Sequence, residues 1–416
     1  MKSIKINVFL IIATALSFFI YGCSNSSNPV NQTPTTITVS GKVLDAYGNP
    51  VSSVTVLIGT QTTTSAGDGS FTINNVSKPY DVYVMSSAGG VFGVKGLTIA
   101  NPNIPCGVMG NGAAALNVVI PIVPTGSKAT VIFQDTVTGK VSGFGQITAS
   151  NYNTVINLGG IPGQAVAGKV YVIEYNISGG VVSGYGGYAE QPVTFTIGSL
   201  PTVTFTTLNG GLGPQTVSGN VYGSGGSNVE AQLYLNFGSK NNVVHRGGFI
   251  ESTTNSGFNF NVPTGTASSV QINIVAISTL PSVAQRMKTV TAGTSGIVIN
   301  IDTVPGLSNP VNNATNVDTT TQFTFSNGSG NGIHYVKITP SGSNGKYFQI
   351  ITTGTSITIP NLAQYGFPMG SAVNYSWVVS KTMDLNSTDD FASQFFDLNP
   401  AVVATTVSTS FGFTSK

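Results

Sequence analysis

Three kinds of hydrolytic chemistry leave recognisable residue sets in a sequence, and each can be sought here. A catalytic zinc takes three protein ligands, commonly two His and a Glu, with a further acid as base. The chain holds two His, His245 in VVHRGG and His334 in GIHYVK, and no His-x-x-Glu or His-Glu-x-x-His. Both stand in segments that read as strands, where they are expected at the surface. A hydrolase serine sits in a Gly-x-Ser-x-Gly elbow, and none occurs, although a triad assembled across a fold leaves no spacing signal. Glycoside cleavage needs two convergent carboxyl groups, to be drawn here from four Glu (Glu174, Glu190, Glu230, Glu251) and ten Asp, many of them in turns. The glycine clusters GNGAAA and GGIPGQ lack the Lys and the strand-to-helix setting of a phosphate loop. Asp45, Asp68 and the Asp389-Asp390 pair fall in loops where oxygen ligands for calcium could gather, but no Asp-x-Asp-x-Asp-Gly run is present. The expectation is a chain that is not an enzyme, with no catalytic residue, no metal site and no cofactor.

Two cysteines remain. Lys2 and Lys5 precede an apolar run from Val8 to Tyr21, and Gly22-Cys23 follows. That is the layout of a signal peptide over residues 1–22, and the run is shorter than the ~20 residues that span a bilayer. Ile20-Tyr21-Gly22-Cys23 resembles a bacterial lipobox, which implies a diacylglycerol on Cys23 and a membrane held through that lipid. The other reading is a plain secretory signal followed by a chance Cys. With Cys23 lipidated, Cys106 has no intrachain partner and is expected as a small core or loop residue. Residues 23–36, including SNSSNPVNQTPTT, show no apolar periodicity and read as a flexible tether. Ser rather than Asp at position 24 favours the outer membrane of a bacterial envelope.

The elements that would position any site are strands. Of 416 residues only 7% are charged, with 51 Gly, and the net charge of +2 comes from 16 basic and 14 acidic residues spread thinly. Nothing resembles the basic stripe that a nucleic acid demands. From Ile37 onward, short alternating apolar runs recur between Gly, Asn and Pro turn signals, an all-β signature. In VSGKVLDAYGNPVSSVTVLIG, Val39, Gly41 and Val43 share one face of a strand. Asp45, Gly48 and Pro50 then supply a turn.

The order SGKVLDAYGNPVSSVTVLIGT, AGDGSFTINNV and YDVYVMS resembles the carboxypeptidase regulatory-like domain. That resemblance implies a transthyretin-like sandwich of seven strands without catalytic residues of its own. FTINNVSKPYDVYVMSS, VINLGGIPGQAVAGKVYVIEY and FNFNVPTGTASSVQINIVAIS line up as strand, Asn-containing turn, Pro and strand. LNVVIPI, TVTFTT and GIVINID are expected to close them. TVSGNVYG from Thr216 echoes TVSGKVLD from Thr38. The expected modules span 37–122, 126–207, the most diverged, and 214–302. Residues 303–416, with PVNNA, FTFS and YSWVV, resemble a fibronectin type III-like or Ig-like module. Its Trp377 alternates with Tyr375 and Val379 and is expected in a core.

One stretch points to binding. VVSGYGGYAEQP places Tyr185 and Tyr188 among small residues, where rings on a mobile loop can stack on sugar faces; cross-strand packing is the other reading. The expected whole is a lipid-anchored, non-catalytic stalk of tandem β-sandwiches for adhesion or for binding a glycan or protein. Its linkers are short enough to make a semi-rigid rod. The alternative is a subunit that polymerises by strand addition, since few Lys or Glu guard its edges; an envelope hydrolase comes last.

Overall fold

The structure is a computed structural model. It describes residues 36–416 apart from 46–47, 87–89, 108–111, 137–140, 149–152, 161, 180, 224–227, 238–242, 253–254, 267–269, 280–281, 384 and 395–405. The described chain is all-β and is built as four sandwiches.

The first comprises β1 (Thr36–Leu44), β2 (Thr55–Ile58), β3 (Gln61–Thr64), β4 (Ser70–Ser77), β5 (Tyr80–Ser86), β6 (Gly90–Leu97) and β7 (Asn103–Pro105). The second comprises β8 (Gly112–Val119), β9 (Ser127–Asp135), β10 (Val141–Ile147), β11 (Asn153–Gly160), β12 (Ala165–Ser178), β13 (Val181–Thr196) and β14 (Thr202–Thr204). The third comprises β15 (Gln215–Tyr222), β16 (Val229–Phe237), β17 (Val243–Ser252), β18 (Asn255–Val262), β19 (Val270–Ser278), β20 (Val283–Val290) and β21 (Ile297–Asn300).

Their topologies coincide. The first strand of each set lies between the fourth, antiparallel to it, and the seventh, parallel to it. The third, second, fifth and sixth, in that order, form the facing sheet. Alternation drives the packing. On β1, Val39 and Val43 are buried while Thr38, Ser40 and Lys42 face water, and the inner faces of both sheets meet in a core that includes Phe71, Val82 and Ile104.

The recurring Val-Ser-Gly has a steric cause. A Cβ on Gly41 would sit 2.5 Å from the Phe71 ring and from Pro102 O, and one on Gly219 would sit 2.0 Å from Ile297 O. The closing strand runs so near the first that only glycine fits between them.

Two expected boundaries move. LNVVIPI does not close the first set; its strand is β8, which opens the second and pairs with β11 and β14. The true closing strand is β7, three residues long and held by Lys42 N–H donating to Pro102 O and Cys106 N–H to Leu44 O. A strand that short carries no periodicity, so the first set ends near Pro105 rather than Ile122.

The fourth sandwich comprises β22 (Leu307–Asn309), β23 (Ala314–Val317), β24 (Gln322–Phe325), β25 (Ile333–Pro340), β26 (Phe348–Thr352), β27 (Ser356–Thr358), β28 (Asn374–Thr382), helix α1 (Thr388–Ser393), β29 (Thr406–Val407) and β30 (Phe411–Ser415). Sheet β22-β24-β27 faces a sheet ordered β26-β25-β28, with β29 and β30 on the outer side of β28. Trp377 is fully buried, its ring meeting Phe323 edge-on at 5.2 Å.

The four are joined by more than the short linkers. β6 lies parallel to β26, pairing Val91 with Phe348 through Val94 with Ile351, and β20 pairs with β29. The large sheets of the third, fourth and first sandwiches therefore run as one 14-stranded sheet. Leu57, Met85 and Val91 of the first pack with Phe348, Ile350 and Trp377 of the fourth. The second and third share a core in which Tyr171 and Tyr175 meet Phe237 and Leu233. The physical reason lies at the edges: the run Val91-Phe92-Gly93-Val94 is buried on both faces and holds no charge that would repel a pairing strand.

Candidate functional site

The stretch VVSGYGGYAEQP lies in β13, which pairs with β12 from Ala165 opposite Thr196 to Ser178 opposite Val181. It is a strand where a mobile loop was expected. Residues three apart on a regular strand face opposite ways, yet Tyr185 and Tyr188 both point into the core shared with the third sandwich. The register explains this: Tyr188 opposes Ile173, Gly187 opposes Glu174 and Tyr185 opposes Tyr175, which leaves Gly186 as the extra residue of a bulge. A Cβ at Gly186 would lie 2.3 Å from Glu174 Oε1.

Tyr185 is 8% and Tyr188 5% exposed, so neither ring is offered to a ligand. Tyr185 donates its hydroxyl to Asn261 O at 3.2 Å, and Asn261 Nδ2 donates to Val182 O at 3.2 Å. Burial pushes the Tyr185 hydroxyl above its ordinary pKa. The Tyr188 ring stacks on Phe237 at 6.4 Å. The two tyrosines join sandwiches; the glycines around them, read as loop signals, instead let the strand bulge.

The site that this strand does build lies near its middle. Tyr188 turns its hydroxyl to Glu190, donating to Oε2 at 2.6 Å, while Lys169 Nζ from β12 reaches Glu190 Oε1 at 2.7 Å. The hydrogen bond to Glu190 holds the Lys169 ammonium above its ordinary pKa. The connection to the third sandwich runs past this point and is stitched to the strand by Tyr188 N–H donating to Asn209 O at 3.0 Å and Asn209 N–H to Tyr188 O at 2.8 Å. Between them lies an open groove of about 460 Å³, lined by Glu190 and Gln191, by the Thr204–Thr207 segment, by Asn209 and, from the third sandwich, by Gly265. Val203 and Phe205 point inward while Thr204 and Thr206 are exposed. Alternation in TVTFTT was the available signal for these hydroxyls, but nothing in sequence links them to Glu190.

Other candidates are accounted for by the fold. Cys23 and the tether lie outside the described residues. Cys106 is buried in the first core. The Asp45 carboxylate accepts from Asn49 N–H at 2.8 Å and Asn49 Nδ2 at 3.1 Å. Asp68 accepts from the Ser70 hydroxyl and N–H, which hold it below its ordinary pKa. Asp389 accepts from Thr98 N–H at 2.8 Å and its hydroxyl at 2.5 Å; Asp390 accepts from Asn386 N–H at 3.2 Å. Among the described residues no three His, Cys, Asp or Glu converge as a metal site.

His245 lies on β17, opposite Leu235. His334 is not at the surface as expected but fully buried. It shares the inner face of β25 with Val336 and Ile338, and its ring meets Phe325 edge-on at 4.9 Å. Beside it, Lys381 is also fully buried and donates to Asn327 O and Oδ1, each at 3.0 Å, and to Ser329 O at 2.8 Å. Burial holds the His334 imidazole below its ordinary pKa.

No protein family description and no curated protein matches this chain. Solved structures do align. The Bacillus anthracis TIE protein, 11% identical with a TM-score of 0.16, aligns over 64% of this chain and 50% of its own. This chain therefore spans half the length of that relative. A calcium-stabilised adhesin that helps an Antarctic bacterium reach out and bind ice is 11% identical with a TM-score of 0.16, over 91% and 98%. A tetra-tandem repeat from the extending region of a large adhesion protein is 11% identical with a TM-score of 0.17, over 92% and 100%. Superposition at this level carries no argument, and the fold described above rests on the strand pairing itself.

Proposed function

We propose that this protein is a non-catalytic, lipid-anchored protein of a bacterial envelope, held to its membrane through Cys23 and a short tether, and serving adhesion or ligand binding.

 The observation that carries this reading is the threefold recurrence of one seven-stranded sandwich, followed by a fourth of a different order, fused by pairing and shared cores into one body. The repeated strand order supports the likeness to carboxypeptidase regulatory-like modules, and β22-β24-β27 facing β26-β25-β28 supports the likeness of the last to fibronectin type III. The loop carboxylates hold turns, a cap and an inter-sandwich contact. The lipobox-like Ile20-Tyr21-Gly22-Cys23 supports the anchor, and Ser24 supports the outer membrane. Labelling cells with a palmitate analogue is expected to tag the natural chain and not Cys23→Ala; a tag on both would overturn the anchor.

One observation favours a second reading, assembly by strand addition: the chain already adds β6 to β26 within itself. Light scattering on residues 24–416 decides it, since a monomer at all concentrations and temperatures excludes polymerisation.

A further inference from the structure

Resting on the reading of this protein as a binding body, we infer that the groove beside β13 is a site for a neutral, polyhydroxylated ligand, the sugar units of an oligosaccharide. Its volume of about 460 Å³ falls in the usual range of small-molecule sites. Its chemistry is that of hydroxyls and amides. Thr204, Thr206 and Thr207 offer groups that both donate and accept, and Gln191 and Asn209 offer an amide oxygen and an NH2 each. Sugar hydroxyls likewise donate and accept, so such a wall meets them in either sense.

The charges select against other ligands. Glu190 is the one carboxylate among the described lining residues, which include no Lys or Arg, so an anionic ligand finds as its nearest cation only Lys169, already engaged by Glu190. Glu190 is already paired with Lys169 at 2.7 Å, which blunts its pull on a cation. The same contacts serve a neutral diol. Lys169 on one oxygen and the Tyr188 hydroxyl on the other fix the carboxylate in place, so a sugar that donates to it need not order it first.

The walls are equally fixed. Tyr188 and Asn209 exchange both backbone hydrogen bonds, and Tyr185 and Asn261 tie the two sandwiches together. Gly265 also lines the groove, with φ +75° and no side chain to narrow it. An open cleft suits units within a longer glycan chain.

The test uses residues 24–416 with neutral gluco-, xylo-, manno- and chito-oligosaccharides, and with polygalacturonate and a sulfated glycan as anionic arms. Binding is read by saturation-transfer NMR and by isothermal titration. Thr206→Arg places a long cation in the groove from an exposed position; Glu190→Gln keeps the shape and removes the charge. Thr72→Arg, exposed on β4 of the first sandwich, is the control. At least one neutral oligosaccharide is expected to bind, about tenfold or more weakly to Glu190→Gln, not at all to Thr206→Arg, and unchanged to Thr72→Arg. Binding that survives Thr206→Arg overturns the groove and leaves a glycan-binding body with its site elsewhere. No neutral binding, or binding of the anionic arms alone, overturns the inference. The Cys23 labelling result is independent of both.

Discussion

Phe92→Ala tests whether the first and fourth sandwiches are one folded body. Phe92 is 3% exposed and lies on β6, with Phe391 of α1 stacked on it at 6.2 Å and Tyr335 of β25 at 6.4 Å. Truncating a buried Phe to Ala costs about 3–5 kcal/mol through lost burial and the cavity left behind. Two of the ring's neighbours belong to the other sandwich, so the loss falls on the contact between the two as well as on the first core. If β26 (Phe348–Thr352) is exposed to solvent when that contact opens, its opening free energy falls with the contact. The full 3–5 kcal/mol then corresponds to a drop in amide protection of roughly two to three and a half orders of magnitude. Native-state hydrogen exchange on residues 24–416 reads this directly, with β9 and β12 of the second sandwich as the internal reference. The reasoning is refuted if protection falls in β2 and β5 but stays unchanged in β26, because the first sandwich would then be an independent bead.

Two further perturbations probe other levels. Gly219→Ala sets a Cβ 2.0 Å from the backbone oxygen of Ile297, which no side-chain rotation relieves; it is expected to cost about 3 kcal/mol or more. Gly41→Ala meets a Phe71 ring as well as Pro102 O at 2.5 Å and should cost less; equal urea midpoints for Gly219→Ala and the natural chain would contradict the steric account. Burial holds the folded-state pKa of His334 down, so the unfolded chain takes up a proton near pH 6.5 while the folded chain resists it. Stability from this residue is fully present above about pH 6.5 and declines as pH falls below it. Trp377, the single Trp, reports unfolding of the same sandwich by fluorescence, and His334→Gln should flatten the dependence between about pH 7.5 and 5. An equal slope in both chains would show that His334 is not the group involved.

How far the sequence reveals this can be traced residue by residue. The sandwiches were legible because alternation and turn chemistry coincide, as in Val39, Gly41 and Val43 followed by Asp45 and Gly48. The Val-Ser-Gly echo was visible too, although its cause, a parallel strand arriving from far along the chain, was not. β7 was missed because three residues make no period. The joints were missed for a different reason. β9 is buried from Ala129 through Gln134, and its partner β12 from Val170 through Ile173, so the sheet they share is covered on both faces. Their continuous apolar runs, Val131-Ile132-Phe133 and Val170-Tyr171-Val172-Ile173, were the sign of a second covering layer. Tyr185 and Tyr188 were misplaced because a bulge shifts the period by one residue, and Gly186 gives no local mark of it. Glu190 was visible only as one of four Glu, since its groove is made by a linker and by the next sandwich.

The seam between β6 and β26 raises a question of register that the pairing alone does not answer. Only four residue pairs are matched, and neighbouring Val, Phe and Ile residues would tolerate a slipped alignment, because a short apolar strand specifies register weakly. The specification comes from α1. Ser387 caps this helix by accepting from Asp390 N–H at 3.0 Å, and the helix carries Phe391 onto Phe92. Asp389 then takes both the N–H and the hydroxyl of Thr98, just past the end of β6. A two-point contact to one residue admits no neighbouring alignment, since Gly96 and Leu97 offer no hydroxyl. The Asp389-Asp390 pair, which a sequence reading can offer to calcium, thus caps a helix turn and locks a strand joint. The same contact explains how a chain with few charged residues keeps its edges from pairing at random: a matched polar contact selects one edge partner where repulsion is not available to reject the others.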